Sequence, residues 1–145
     1  ISNLTGSEVN TAIHVLGLEE MPIYDITFDN VNIESRHGVV IDKAKNLVMR
    51  DVRIDNSMGV PFEITDAEQV IINNIWTAVP TADQPLLKVR NTNGLFVQGC
   101  FPLKGSKAFI KLDGNNRDVV LRGNYFDRLT SVLDPESENK SLDLD

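Results

Sequence analysis

The chain has 145 residues, of which 41% are hydrophobic, and its 14 basic and 21 acidic side chains leave a formal net charge of -7. That length fits one domain better than two, and the acidic balance removes the usual electrostatic basis for binding a nucleic-acid backbone or an anionic membrane. No apolar run reaches the ~20 residues of a transmembrane helix, and the single cysteine, Cys100, excludes an internal disulfide framework and a Cys-rich metal site.

Val and Ile together supply 27 residues and Ala only 6, a bias toward strands over helices. In chain order, residues 1–22 read as a partial coil. Thr11-Ala12-Ile13-His14-Val15 is a return strand with Ile13 and Val15 inward, and Leu18 to Pro22 form a corner. A hexapeptide pattern follows and recurs: Ile26 to Val31, Leu47 to Val52, Val70 to Ile75, Leu95 to Cys100 and Val119 to Asn124. The steps between first positions are 21, 23, 25 and 24 residues. Each copy alternates apolar and mostly polar positions, the period of a strand with one buried face. The fifth position is Asn30, Asp51, Asn74, Gly99 or Gly123, residue types that tolerate the bend ending a strand. Asn124 departs from the apolar sixth column and marks an irregular last turn.

A second strand lies inside each repeat, with inward pairs Val39 and Ile41, Phe62 and Ile64, Leu87 and Val89, and Ile110 and Leu112. Gly38, Gly59 with Pro61, Pro85 and Gly105 stand near its starts and read as corners. Two strands and their corners in about 23 residues leave no space for a helix of three turns, which excludes stacked βαβ units. The chain must coil, with equivalent side chains in columns and successive coils about 4.8 Å apart, as in a parallel β-helix. A leucine-rich-repeat horseshoe shares the period. It fits less well, because Ile23, Ala44, Ala67, Thr92 and Asn116 stand where that motif needs Leu, and it has no use for a second strand column.

The reading divides the chain into β-helix coils over 1–133 and a polar tail or loose cap over 134–145, which shows no burial pattern. No capping helix precedes Thr11, so the first coil is expected to stack on further coils, in the same parent protein or on a separate chain. Ile1 as first residue implies processing or a piece of something longer, and the lack of a leader says nothing about export.

The run Gly17 to Val31, with Gly38-Val39-Val40-Ile41, Asp42 to Leu47 and Arg50-Asp51-Val52-Arg53-Ile54, resembles the late coils of the polygalacturonase-like glycoside hydrolases. The resemblance spans roughly residues 11–125. It implies an all-β, right-handed parallel β-helix of about five to six coils, the C-terminal part of a longer helix. It also implies glycosidic-bond hydrolysis in an acidic plant polysaccharide, with inversion, and a secreted or periplasmic location. Inversion needs an acid and a base about 6.5–9.5 Å apart. The family's Asp-Asp pair is missing, and Asn91-Thr92-Asn93 carries an amide where its Asn-Thr-Asp motif has a carboxylate. His37-Gly38 matches part of a Gly-His-Gly motif and reads as a solvated corner. Arg53-Ile54-Asp55 matches two positions of Arg-Ile-Lys and reads as Ile54 in the core beside a solvated Arg53. The resemblance therefore places the catalytic aspartates upstream of this chain, which is expected to be inactive alone.

Other chemistry is sparse. Asp29 and Asp51, near Asn74, are expected to satisfy bend amides rather than bind calcium, which wants six to eight oxygens. His14 and His37 occupy different phases of the coil, which disfavours a two-histidine metal site. Trp76 and Tyr24 invite a sugar-stacking reading, although an aromatic at a corner also packs under a loop. Lys104, Lys107 and Lys111 are the basic residues available to meet an acidic polymer. No catalytic residue, metal or cofactor is assigned, and the substrate-binding residues stay undefined. The alternatives are a noncatalytic carbohydrate-binding β-helix and a purely structural solenoid. Cys100 reads as a buried small side chain.

Overall fold

The sequence repeats become a solenoid because each half-buried strand finds its equivalent one coil on. The computed structural model describes residues 1–144, and Asp145 lies outside the described residues. The strands are β1 (Ser2–Leu16), β2 (Ile23–Asp42), β3 (Ala44–Thr65), β4 (Glu68–Trp76), β5 (Pro85–Arg90), β6 (Asn93–Gln98), β7 (Ala108–Asp113), β8 (Arg117–Arg122), β9 (Ser131–Leu133) and β10 (Asp143–Leu144). They pair in parallel along two paths, β3-β4-β6-β8-β10 and β3-β5-β7-β9, while β1 and β2 precede β3. The result is an all-β, right-handed parallel β-helix of about six turns.

The expected columns form in register. Ile26, Leu47, Val70, Leu95 and Val119 stand opposite one another in successive coils, as do Phe28, Met49, Ile72, Val97 and Leu121. On the return side Ile13, Val39, Phe62, Leu87 and Ile110 align, beside Val15, Ile41, Ile64, Val89 and Leu112. Leu47, Met49, Phe62, Ile64, Ile72 and Leu87 are fully buried. The hydrophobic contribution of such a column comes from removing both flanks of each side chain from water.

The bend column is Asn30, Asp51, Asn74, Gly99 and Gly123, with φ between 50° and 69°. Left-handed backbone costs most residues about 1–2 kcal/mol, less for Gly, Asn and Asp. The amides and acids also form rungs: Asn30 Nδ2 donates to Asn3 Oδ1 at 2.8 Å, and Asn74 Nδ2 donates to Asp51 Oδ1 at 2.8 Å. Contrary to expectation, the bends at Asn30, Asp51 and Asn74 do not end their strands. Adjacent coils bend at the same place, so the ladder resumes at once: Val31 pairs with Val52, and Val52 with Ile75.

Residues 1–4 belong to the first coil, where Ser2 and Leu4 pair with Asp29 and Val31. Asn124 fills its column with a side chain instead of a strand. Its Oδ1 accepts from Cys100 N at 2.9 Å, and its Nδ2 donates to Val97 O at 3.0 Å.

The segment from Asp134, expected as a polar tail or a loose cap, lies against the last coil. Asp134 and Ser137 are buried, and Ser137 Oγ accepts from Leu112 N at 3.1 Å. Asn139 N donates to Leu112 O at 3.0 Å, and Asp143 and Leu144 pair with Val120 and Leu121 of β8. Hydrogen bonds to the last coil order this segment, so its sequence carries no apolar period to reveal it. Behind it, Phe109 packs on Phe126 with ring centroids 4.8 Å apart.

Cys100 is buried as expected, and burial pushes its thiol up to about 11, outweighing the hydrogen bonds from the Ile75 and Asn74 backbone that pull the other way. A rise of about two units leaves roughly a hundredfold less thiolate at neutral pH. Native protein should therefore react with an aromatic disulfide reagent at least about a hundredfold more slowly than denatured protein. Equal rates in the two states would contradict this burial.

Candidate functional site

The outer face of the first four coils carries a groove of about 850 Å³. Glu8 and Val9 of β1, Glu34 and Arg36 of β2, Arg53 and Asp55 of β3, and Ala78 and Val79 after β4 line it. It therefore crosses the strands and follows the solenoid axis over three coil spacings, about 14 Å at ~4.8 Å each. Ser35 Oγ, buried at its wall, has no hydrogen-bond partner among the described residues.

Asp55 organises the groove. It stands opposite Glu34 in register, but its carboxylate is committed elsewhere. Arg53 Nε and Nη2 both donate to Asp55 Oδ2, the former at 2.9 Å. Thr77 Oγ1 and Ala78 N donate to Asp55 Oδ1 at 3.2 and 2.6 Å, tying the end of β4 to the coil before it. Burial alone would push the carboxyl up. The hydrogen bonds from Arg53, Ala78 and Thr77, with the charge of Arg53, outweigh it and hold the carboxyl below its ordinary value. The Arg53 guanidinium lies 4.9 Å from the centroid of the Trp76 ring, a cation–π contact.

An ionised carboxylate with four donors is a poor general acid, since protonation would break charge-assisted bonds. Its role is to fix Arg53 and the 77–78 backbone. Asp55→Ala would leave those donors without an acceptor, and the partial exposure of Arg53 reduces the loss to about 2 kcal/mol. The folded-state carboxyl titrates below its unfolded-state value, so this stabilisation is complete above the ordinary carboxylate range and is lost as pH falls through the lower folded value. In thermal melts the gap between parent and Asp55→Ala should be wide at pH 7 and shrink below about pH 4. A gap that widened on acidification would contradict the assignment.

Other residues fall as follows. Ile54 is in the core, as read, but Arg53 is half-buried and doubly held rather than solvated. His37 is not a solvated corner: it is half-buried within β2, in register with Thr11 and Met58, because the strand continues through this position. His14 is exposed in β1 opposite Val40. Asn91 spans two coils, donating to Asp66 Oδ1 at 3.0 Å and accepting from Asn115 N at 3.0 Å, while Thr92 is buried.

Asp29 accepts from Arg50 Nε at 3.1 Å, and Asp51 from Asn74. Among the described residues no group of three or more His, Cys, Asp or Glu is arranged to hold a metal. Lys107 and Lys111 do approach each other's partners, but Glu136 lies within 3.9 and 3.8 Å of them, and Lys107 also meets Asp134 at 3.3 Å. They hold the C-terminal segment instead of forming an uncompensated basic patch. Tyr24 is exposed opposite Lys45, at a different position of the coil from Trp76.

Sequence reading missed the joining of Arg53, Asp55 and Ala78. The available signal was register: Arg53 pairs with Trp76, which places the residues after Trp76 beside Asp55.

A family model described as the right handed beta helix region matches residues 11–138. Neither the curated proteins nor the solved structures gave a match. With 128 of its 145 residues inside that region, the chain belongs to the right-handed β-helix family.

Proposed function

We propose that this chain is the glycan-holding part of a polysaccharide-degrading β-helix, with the Arg53 groove as its binding surface. The observation that carries the reading is the groove itself. It runs along the solenoid axis, offers Arg36, Arg53 and Glu34 as hydrogen-bonding groups, and has Val9, Ala78 and Val79 as apolar wall. A sugar chain presents the same mixture of hydroxyl edges and C–H faces, and elongated sites suit polymers. Asp55 supplies rigidity, not acid catalysis.

The resemblance of residues 11–125 to polygalacturonase-like enzymes supports an acidic plant polysaccharide as the polymer and a location outside the cytoplasm. In this reading the catalytic aspartates lie on coils stacked before β1, in the same protein or on a separate chain. The exposed N-terminal face supports that stacking: Leu4 is 40% exposed, whereas Val31, its counterpart one coil on, is 1% exposed.

The test is calorimetric titration of the chain with polygalacturonate and a neutral glucan, alongside a reducing-end assay on the same material. Saturable binding that is lost in Arg53→Ala, without release of reducing ends, is the expected result. Absence of binding to both polymers, or hydrolysis by the pure chain, would overturn the reading.

A further inference from the structure

Arg53, on the wall of the groove, also begins a second feature. Arg50, Asn73, Gln98 and Arg122 are aligned in register on four successive coils. Three residues beyond each stand Arg53, Trp76, Phe101 and Tyr125. The backbone keeps the last two coils in step beyond the strands, since Tyr125 N donates to Cys100 O at 3.0 Å. One outer column thus carries three aromatic rings on consecutive coils, one step after the inward Val52, Ile75 and Cys100.

These rings are not buried in the manner of core aromatics. Trp76 is 36%, Phe101 52% and Tyr125 47% exposed. They are nonetheless held in place. Phe101 and Tyr125 stack with centroids 5.1 Å apart and planes inclined by 23°. The Arg128 guanidinium lies 4.6 Å from the Phe101 centroid, as Arg53 does near Trp76 at 4.9 Å. Ordering exposed rings before a ligand arrives reduces the entropy lost on binding. The contacts leave aromatic surface and guanidinium N–H groups side by side, which suits a pyranose chain. C–H faces can meet the rings while hydroxyl or carboxylate oxygens accept from Arg53 and Arg128.

We infer that Trp76, Phe101 and Tyr125 form an aromatic track that extends the groove toward the C-terminal coils, so that one glycan chain runs parallel to the solenoid axis across the third to sixth coils. Successive ring positions follow the coil spacing of ~4.8 Å, so a longer oligosaccharide engages rings that a short one cannot reach. The track rests on the glycan-binding reading of the groove and names where the rest of the polymer lies.

Trp76 is the only tryptophan in the chain, so its fluorescence reports events at the junction of groove and track. The experiment titrates the chain with oligogalacturonates and, separately, cello-oligosaccharides, from dimers to octamers, by fluorescence and by calorimetry. Affinity should rise with length in at least one series, with a saturable change in Trp76 emission. The double variant Phe101→Ala/Tyr125→Ala should lose about fivefold or more in affinity for the longest oligomer and leave the dimer unchanged. Phe101→Tyr and Tyr125→Phe keep the rings and should bind as the parent does. Binding whose affinity does not grow with length, or growth that survives the double alanine variant, would overturn the track and leave the groove standing. No binding of either series at any length would overturn the groove reading and the track with it.

Discussion

Replacing Leu47 by alanine should lower the unfolding free energy by about 3–4 kcal/mol, measured by urea denaturation with intrinsic fluorescence and circular dichroism. Leu47 is fully buried and stands between Ile26 and Val70 in one of the inward columns. Its truncation removes apolar contacts to the coils on both sides, and those coils are fixed by their own backbone ladders, so the vacated space cannot close. The comparison is Ile71→Ala. Ile71 neighbours the same column in sequence but points outward and is 46% exposed. Its truncation should cost less than about 1 kcal/mol. Similar costs at the two positions would mean that the inward and outward faces have been assigned wrongly.

Gly38→Ala is expected to be nearly as damaging, by about 3 kcal/mol, for a reason unrelated to backbone torsion. A Cβ at Gly38 would overlap the Pro61 carbonyl oxygen and stand 2.6 Å from Val60 O and 2.7 Å from Pro61 C. All three are main-chain atoms of the next coil, so relief requires moving a coil rather than a side chain. Gly59 makes the contrast. Its φ is +76°, but nothing lies within 4 Å of an added Cβ. Gly59→Ala should cost only the ~1–2 kcal/mol of left-handed backbone. If Gly59→Ala proved the more destabilising of the two, coil separation at Gly38 would be larger than described.

These two positions also show what the sequence could and could not reveal. Leu47, Val70 and Leu95 recur at nearly constant spacing, and alternation makes their inward direction readable without any structure. The bend column was readable for the same reason, because Asn, Asp and Gly share a tolerance for positive φ. Gly38 was read as a corner, yet the pressure on it comes from Val60 and Pro61, more than 20 residues away, and only register brings them together. The candidate site was less legible still. Arg53 and Asp55 are near neighbours in sequence, but Trp76, Thr77 and Ala78 join them through the pairing of β3 with β4. The aromatic column was present as residues at one offset from the repeat, hidden because Arg53 and Tyr125 do not resemble each other. Residues 134–144 were illegible for a different reason: polar side chains that bind a coil by hydrogen bonds look the same in sequence as those that meet water.

Fold and chemistry rest on different features of this chain. Periodicity and burial define the solenoid, while the groove, the Asp55 clamp and the ring column define what its outer face can hold. A β-helix hosts many activities, so the functional reading stands on these side chains and not on the fold.

The most direct test of the whole arrangement is whether like positions lie above one another in solution. Methyl-labelled protein should give nuclear Overhauser contacts from Leu47 to Val70 and from Val70 to Leu95, and from Ile64 to Val89 and Val89 to Leu112 on the return side, as coils ~4.8 Å apart require. Contacts between Leu47 and Leu95 in place of those through Val70, or no contacts along either column, would contradict the stacked coils.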